Sequence, residues 1–317
     1  MDDSSEIAHD FSPFFRLYKN GRVERLLGND RVPASVDPQT GVSSKDVVLG
    51  ADSGLSARLY LPKLADPLRK IPILVYYHGG AFCIESAYSP TYHTFLNSLA
   101  AEANIVAVSV EYRLAPEHPL PAAYDDSWAA LQWVASHASG SGPEPWISNH
   151  ADLRRLIVAG DSAGGNIAHN LTMRAGREEI GHEVKINGSM MIHPYFSGSE
   201  PIGKEIMLRK FTEGKPDLWM FINPTTSGLD DPMVNPEADE APTLKGLGCA
   251  RVLVCVAEND FLKDRGWRYY RTVGSSEWKG TVEMYAVEDE GHVFHLLNPS
   301  CEKAGFMLKH LAAFING

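Results

Sequence analysis

A lone serine stands between two glycines in the stretch LIVAGDSAGGNIAHN, where an apolar run gives way to a helical pattern. Leu156, Ile157, Val158 and Ala159 read as a buried parallel strand, and Ala163 to Met173 as the helix that follows it. Gly160, Asp161, Ser162, Ala163 and Gly164 fit the GxSxG pattern of a nucleophile held on a sharp strand-to-helix turn. The flanking glycines remove Cβ atoms that would collide with the neighbouring strand and helix. The Ser162 hydroxyl is then exposed at a helix N-terminus, where free amides and the helix dipole favour developing negative charge. An ordinary glycine-rich turn has the same spacing, so the reading needs partners elsewhere in the chain.

Those partners are present. A second apolar run, Ile71 to Tyr77, leads straight into His78, Gly79, Gly80, Ala81 and Phe82. Successive glycines let a loop turn its amides toward a ligand, so Gly79 and Gly80, with Ala163, are expected to offer three donors to an oxyanion. Arg251 to Ala257 is a further buried strand pattern, and Asp260 follows its C-terminal end, where open α/β sheets place their functional residues. Thr281 to Val287 alternates like a strand before Glu290, Gly291 and His292. The order Ser162, Asp260, His292 suits a triad in which the imidazole takes the serine proton and the carboxylate fixes its tautomer. Glu258 and Asp264 are the rival acids. His295 makes an HxxH pair with His292, but without a third obvious ligand no metal is expected, and no cofactor.

Around these residues, five or more strand-like runs alternate with helical segments, which indicates an α/β unit. The 317 residues, 44% of them hydrophobic, can bury a large core in a single domain. Two stretches, 1 to about 40 and about 197 to 240, carry scattered proline, glycine and charge, with short helical patterns such as Pro216 to Ile222; they are expected to cap the pocket. Ala81, Phe82, Tyr195 and Trp219 are candidates for the pocket wall, with Phe14, Phe15, Phe196 and Phe221 as further aromatics. The run YRLAPEHPLPAAY reads as structural: its prolines stiffen a loop leading into a helix over Pro121 to His137, and Asp125 or Asp126 can tie Arg113.

A formal charge of −11 argues against nucleic-acid or anionic-membrane partners and suits a small neutral or cationic substrate. The acidic start MDDSSEIAHDFSPFF has neither the basic region nor the long apolar run of a signal peptide or membrane anchor, so a cytosolic setting is expected. Cys83, Cys249, Cys255 and Cys301 lack CxxC spacing and read as free thiols, and the Asn170 and Asn187 sequons then carry no meaning.

With these landmarks the chain resembles the plant carboxylesterases, within the hormone-sensitive-lipase-like α/β-hydrolases. The likeness runs from YKNGRVERLLGNDRVPASVDPQTGVSSKDVVL through YYHGGAFCIESAYSPTYHTFLNSLAAEANIVAVSVEYRLAPEHPLPAAYDDSWAALQWVASH and GDSAGGNIAHN to NPEADEAPTLKGLGC, ENDFLKDRG and EGHVFHLLNP. It implies a mostly parallel eight-stranded sheet wrapped by helices, a cap built from the N-terminal segment and an insertion, and the triad and donors already chosen. Ala81 departs from the third glycine of many relatives; its methyl borders the pocket and alanine is expected to resist glycine-only torsions.

The resemblance spans three functions. Ester hydrolysis through an acyl-enzyme uses the whole triad, and the unhindered serine in GDSAG favours it. An elimination like that of the 2-hydroxyisoflavanone dehydratases would use His292 to take a proton beside a carbonyl. A hormone receptor of the gibberellin type would lack the triad histidine, which is present here. The expected substrates are small esters of plant specialised metabolites.

Overall fold

The computed structural model describes residues 6–50, 54–66, 68–140, 142–214 and 216–317. The chain opens with β1 (Ile7–Phe11), β2 (Phe15–Tyr18) and β3 (Val23–Arg25), a small antiparallel sheet of its own. The main sheet begins with β4 (Ser43–Val48), β5 (Ser56–Leu61) and β6 (Ile71–Tyr77), followed by α1 (Pro90–Ala103) and β7 (Val106–Glu111). Next come α2 (Ala122–Ala135), α3 (Pro145–His150), β8 (Ala151–Asp161), α4 (Ala163–Ala175) and β9 (Ile186–Ile192). The short helices α5 (Glu205–Thr212) and α6 (Leu218–Ile222) precede β10 (Cys249–Ala257), α7 (Lys263–Ser275), β11 (Thr281–Val287), α8 (Phe294–Leu297) and α9 (Glu302–Asn316).

The eight-stranded sheet has the order β11-β10-β9-β8-β6-β7-β5-β4. Every pair from β11 to β7 is parallel, and at the other edge the β7–β5 and β5–β4 pairs are antiparallel, so β5 alone runs against the rest. The strand sequences explain why the sheet is covered on both faces. Ile73, Val75 and Tyr77 of β6 join one core with α2 and α4, while Leu74 and Tyr76 join the opposite core with α1 and α9. Alternate residues point to opposite faces and both sets are apolar, so the strand reads as a continuous hydrophobic run.

Ile71–Tyr77 and Thr281–Val287 fall where the patterns put them, while β8 extends beyond the Leu156–Ala159 run at both ends and β10 begins before Arg251. Pro121 differs slightly: it sits at the N-cap of α2, one position before the first helical residue. Arg113 pairs with Asp126 through two side-chain bonds of 2.8 Å, while Asp125 faces Arg174 at 3.8 Å. Among the described residues no helix is long and apolar enough to cross a membrane.

Both stretches expected to cap the site have structure of their own, although residues 1–5 lie outside the described residues. Phe11 of β1 packs on Phe221 of α6 with ring centroids 4.6 Å apart, and Phe15 of β2 at 6.3 Å. This joins the N-terminal sheet to the insertion. The insertion is also tied to α4, because the Asn166 and Asn170 amides donate to the Met233 carbonyl at 2.8 and 2.9 Å. The other sequon asparagine, Asn187, accepts from Arg251 at 2.9 Å.

Candidate active site

Strand ends assemble the site. Ser162 follows β8, Asp260 lies just beyond β10 and His292 just beyond β11, all at the carboxyl edge of the parallel sheet. Ser162 has φ 52° and ψ −116°, an unusual backbone that its surroundings enforce. Its N–H donates to the Ile192 carbonyl at 2.8 Å and its carbonyl accepts from Tyr195 at 2.9 Å. The turn passes so close to β6 that a Cβ on Gly164 would lie 1.9 Å from the Tyr77 carbonyl oxygen, which explains that glycine.

Ser162 Oγ lies 3.0 Å from His292 Nε2, and His292 Nδ1 lies 2.8 Å from Asp260 Oδ2. The other Asp260 oxygen accepts the Leu262 amide at 2.9 Å. Asp260 is buried, whereas the His292 side chain keeps 26% of its surface exposed, an arrangement that suits a base open to a substrate with an orienting acid sealed from water. The rival acids are engaged elsewhere. Glu258 accepts the Asp289 amide at 2.8 Å and Asp264 accepts the Lys204 amide at 3.0 Å. His295 is buried against Phe95 and His193, and burial pulls its pKa down to about 3.

The 78–85 turn after β6 is the second part of the site. His78 stacks on Tyr112 with centroids 4.2 Å apart and donates from Nδ1 to the Gly79 carbonyl at 2.7 Å. Tyr112 donates to the His78 carbonyl at 2.7 Å, so two buried rings fix the peptide preceding the glycines. The Gly80 carbonyl accepts from Cys83 and Ile84 at 2.9 and 3.0 Å, and Gly80 itself has φ 99°, open to glycine but strained for other residues.

One expected donor is corrected. The Gly79 amide is already used, donating to the Tyr92 hydroxyl at 2.8 Å and to Asp161 Oδ1 at 3.2 Å. The amides of Gly80, Ala81 and Ala163 take no acceptor among the described residues. The loop thus keeps two free donors, shifted by one residue, and Ala163 at the start of α4 keeps a third. Ala81 adopts φ 53°, in the left-handed region that alanine enters at a modest cost and not in a glycine-only conformation.

The pocket wall is corrected too. Phe82 and Trp219 are completely buried, packed edge-on to each other at 6.2 Å, with the Trp219 indole donating to Thr226 at 2.9 Å. They form the packing behind the turn, and Phe15 and Phe196 are likewise buried. Ala81 and Tyr195 retain exposed surface and remain as wall candidates. Cys83 is buried, which drives its thiol pKa up.

Sequence reasoning missed the group that supports this turn. Asp161, Tyr76 and Tyr92 form a buried cluster in which both hydroxyls donate to the carboxylate, at 2.8 and 3.0 Å. Burial raises the Asp161 pKa to about 6, against the lowering effects of those bonds and of the nearby His292 charge. Its place inside GDSAG was the available signal, but the motif does not say what lies beneath it.

Comparison with known proteins follows the same lines. A family model described as alpha/beta hydrolase fold matches residues 74–296. The chain is similar to a probable carboxylesterase of Arabidopsis thaliana, at 46% identity over 99% of both chains. It is about as similar to a 2-hydroxyisoflavanone dehydratase of Glycine max, at 45% identity over 98% of this chain and 99% of the relative. Among solved structures, a thermostable carboxylesterase cloned from a metagenomic library aligns with a TM-score of 0.70 at 28% identity, over 90% of each chain.

Proposed function

Because this chain belongs to the alpha/beta hydrolase fold family, among the plant carboxylesterases, we propose that it hydrolyses small-molecule carboxylic esters through an acyl-enzyme on Ser162. The observation that carries the proposal is the continuous relay from Ser162 Oγ through His292 to Asp260, with spacings of 3.0 and 2.8 Å. In the first half-reaction His292 Nε2 takes the serine proton as Oγ attacks the ester carbon. The carbonyl oxygen becomes an oxyanion facing the free amides of Gly80, Ala81 and Ala163. The ester C–O bond breaks, and His292 returns the proton to the leaving alcohol. Water then repeats the sequence on the acyl-enzyme and releases the acid. Asp260 holds the proton-bearing Nδ1 and stabilises the imidazolium without taking its proton.

The β1–β3 sheet and residues 197–240 act in this proposal as the cap that selects the ester. Both reach the donor-bearing turn: Arg25 donates to the Cys83 carbonyl at 2.7 Å, and Trp219 packs on Phe82. The formal charge of −11 favours neutral or cationic esters over polyanionic partners. A cytosolic setting is in keeping with four cysteines that form no disulfide.

A pre-steady-state assay with p-nitrophenyl butyrate and an intact mass of the quenched enzyme test the mechanism. The expected result is a burst with a butyryl adduct, both absent in Ser162→Ala. The dehydratase relative at 45% identity gives elimination a place as second reading, with His292 as base and no acyl-enzyme. A folded enzyme that shows neither burst nor adduct transfers the assignment to it.

A further inference from the structure

A second histidine stands behind the base. His193 directly follows β9 with φ 47°, and its backbone N–H is anchored to the Cys255 carbonyl of β10 at 2.8 Å. Its side chain reaches across to the next strand end, where Nδ1 accepts the backbone N–H of Val293 at 2.8 Å. Val293 follows His292 in the chain and has φ 48° and ψ 33°. A β-branched residue rarely enters the left-handed region, so this conformation persists only where surrounding bonds over-determine it. The His193 ring also lies 5.9 Å from His292, 5.9 Å from Phe294 and 5.6 Å from His295, so the base-bearing loop wraps around it.

We propose that His193 is a positioning residue, whose Nδ1 holds the loop after His292 in the conformation that aims the catalytic imidazole at Ser162. The inference rests on the reading of His292 as the base. An acceptor at Nδ1 requires that the neutral ring carry its proton on Nε2. That nitrogen is buried with no hydrogen-bond partner among the described residues. An apolar ring would fill this space without a stranded donor, so packing alone does not account for a histidine here. The charged and titratable neighbours agree with a neutral ring. Burial comes first, then the positive forms of His295 and His292, in lowering its pKa well below the usual value, against a raising effect from Asp260. Protonation would turn the acceptor into a donor facing the Val293 amide, and the low pKa prevents it.

Three substitutions separate positioning from filling. His193→Asn puts an amide oxygen close to where Nδ1 sits, His193→Gln carries its amide toward the Nε2 side, and His193→Phe keeps the ring shape without an acceptor. The Phe and Gln variants are expected to lose roughly 10- to 100-fold in kcat with KM within about 2-fold, the scale of a misplacement of about 1 Å, and Asn to recover most of the loss. Melting temperatures of the three establish that each is folded. The second readout is the downfield proton NMR signal of His292 Nδ1–H against Asp260, expected to persist in wild type and Asn and to shift or broaden in Phe and Gln. That signal does not depend on turnover, so a wild-type protein without serine-dependent hydrolysis would overturn the ester proposal while leaving this one open to measurement. Phe or Gln variants with wild-type kcat and an unchanged signal overturn the positioning role. So does an Asn variant as impaired as Gln at equal melting temperature.

Discussion

The Asp161 carboxylate accepts the backbone N–H of Gly79 at 3.2 Å, joining the residue before the nucleophile to the first glycine of the donor turn. Tyr92 doubles the link, since its hydroxyl accepts from Gly79 at 2.8 Å and donates to the other Asp161 oxygen at 3.0 Å. Nucleophile and donors are thus referenced to one buried group. Their relative position is fixed through that group by hydrogen bonds as well as through the chain.

This group makes stability depend on pH. Burial raises the Asp161 pKa from 3.8 to about 6, so the folded protein binds its proton more tightly than the unfolded chain does. The stabilisation is fully present below pH 4 and is lost as pH rises to about 6, a change of about 3 kcal/mol at roughly 1.4 kcal/mol per unit. Asp161→Asn removes that contribution. Urea unfolding of wild type and variant at several pH values should show their stability difference changing between pH 4 and 6.5, and a difference constant over that range would contradict the burial effect.

In the proposed mechanism Ser162, His292 and Asp260 act as a unit. Ser162→Ala and His292→Ala should each lower kcat by at least about 10³-fold, and the double variant should be little worse than either. Asp260→Asn should cost about 10⁴-fold through the wrong tautomer of His292. Multiplicative losses in the double variant would mean that the two residues work independently.

Ala81 holds a left-handed backbone at φ 53° with a methyl beside the site. Ala81→Gly relieves a conformation worth about 1 kcal/mol and keeps the amide, so melting temperature should hold or rise and kcat should stay within about 3-fold. KM for esters with branched acyl groups should fall as the methyl is removed. Comparing butyrate with pivalate esters tests this, and equal KM ratios in both enzymes would place the acyl group elsewhere.

Arg25 is the clamp between the N-terminal sheet and the donor turn, bonding to the carbonyls of Cys83 and Ala115 at 2.7 and 3.3 Å and to both Glu117 oxygens at 2.8 and 2.7 Å. Arg25→Ala should cost about 1–3 kcal/mol of stability and raise KM more than it lowers kcat. Glu117→Gln, which leaves the Cys83 bond in place, should have the smaller effect on KM. Equal KM values in all three enzymes would uncouple the small sheet from the site.

The chemistry was more legible than its setting. Ser162, Asp260 and His292 could be singled out because each follows a readable strand pattern, apolar in β8 and β10 and alternating in β11, and a parallel sheet gathers its strand ends along one edge. β1 to β3 escaped notice because they span 5, 4 and 3 residues, and the exposed Ile7 and the polar residues of β3 leave little alternation to detect. Gly79 was misassigned because spacing locates a turn without giving the direction of each amide. Phe82 and Trp219 were placed in the wall because an aromatic near a catalytic loop looks the same in sequence whether it faces a ligand or other rings. His193 carried no motif; only the fold brings it against Val293.

The small sheet and the α5–α6 insertion reach the donor turn from outside, yet neither supplies a member of the Ser162–His292–Asp260 relay. Under the proposed function, divergence in these two segments would redirect the choice of ester and leave the Ser162–His292–Asp260 relay intact. Exchanging both segments together between relatives, rather than either alone, is the smallest graft that keeps the Phe11–Phe221 contact, and it is the unit in which specificity should be transferable.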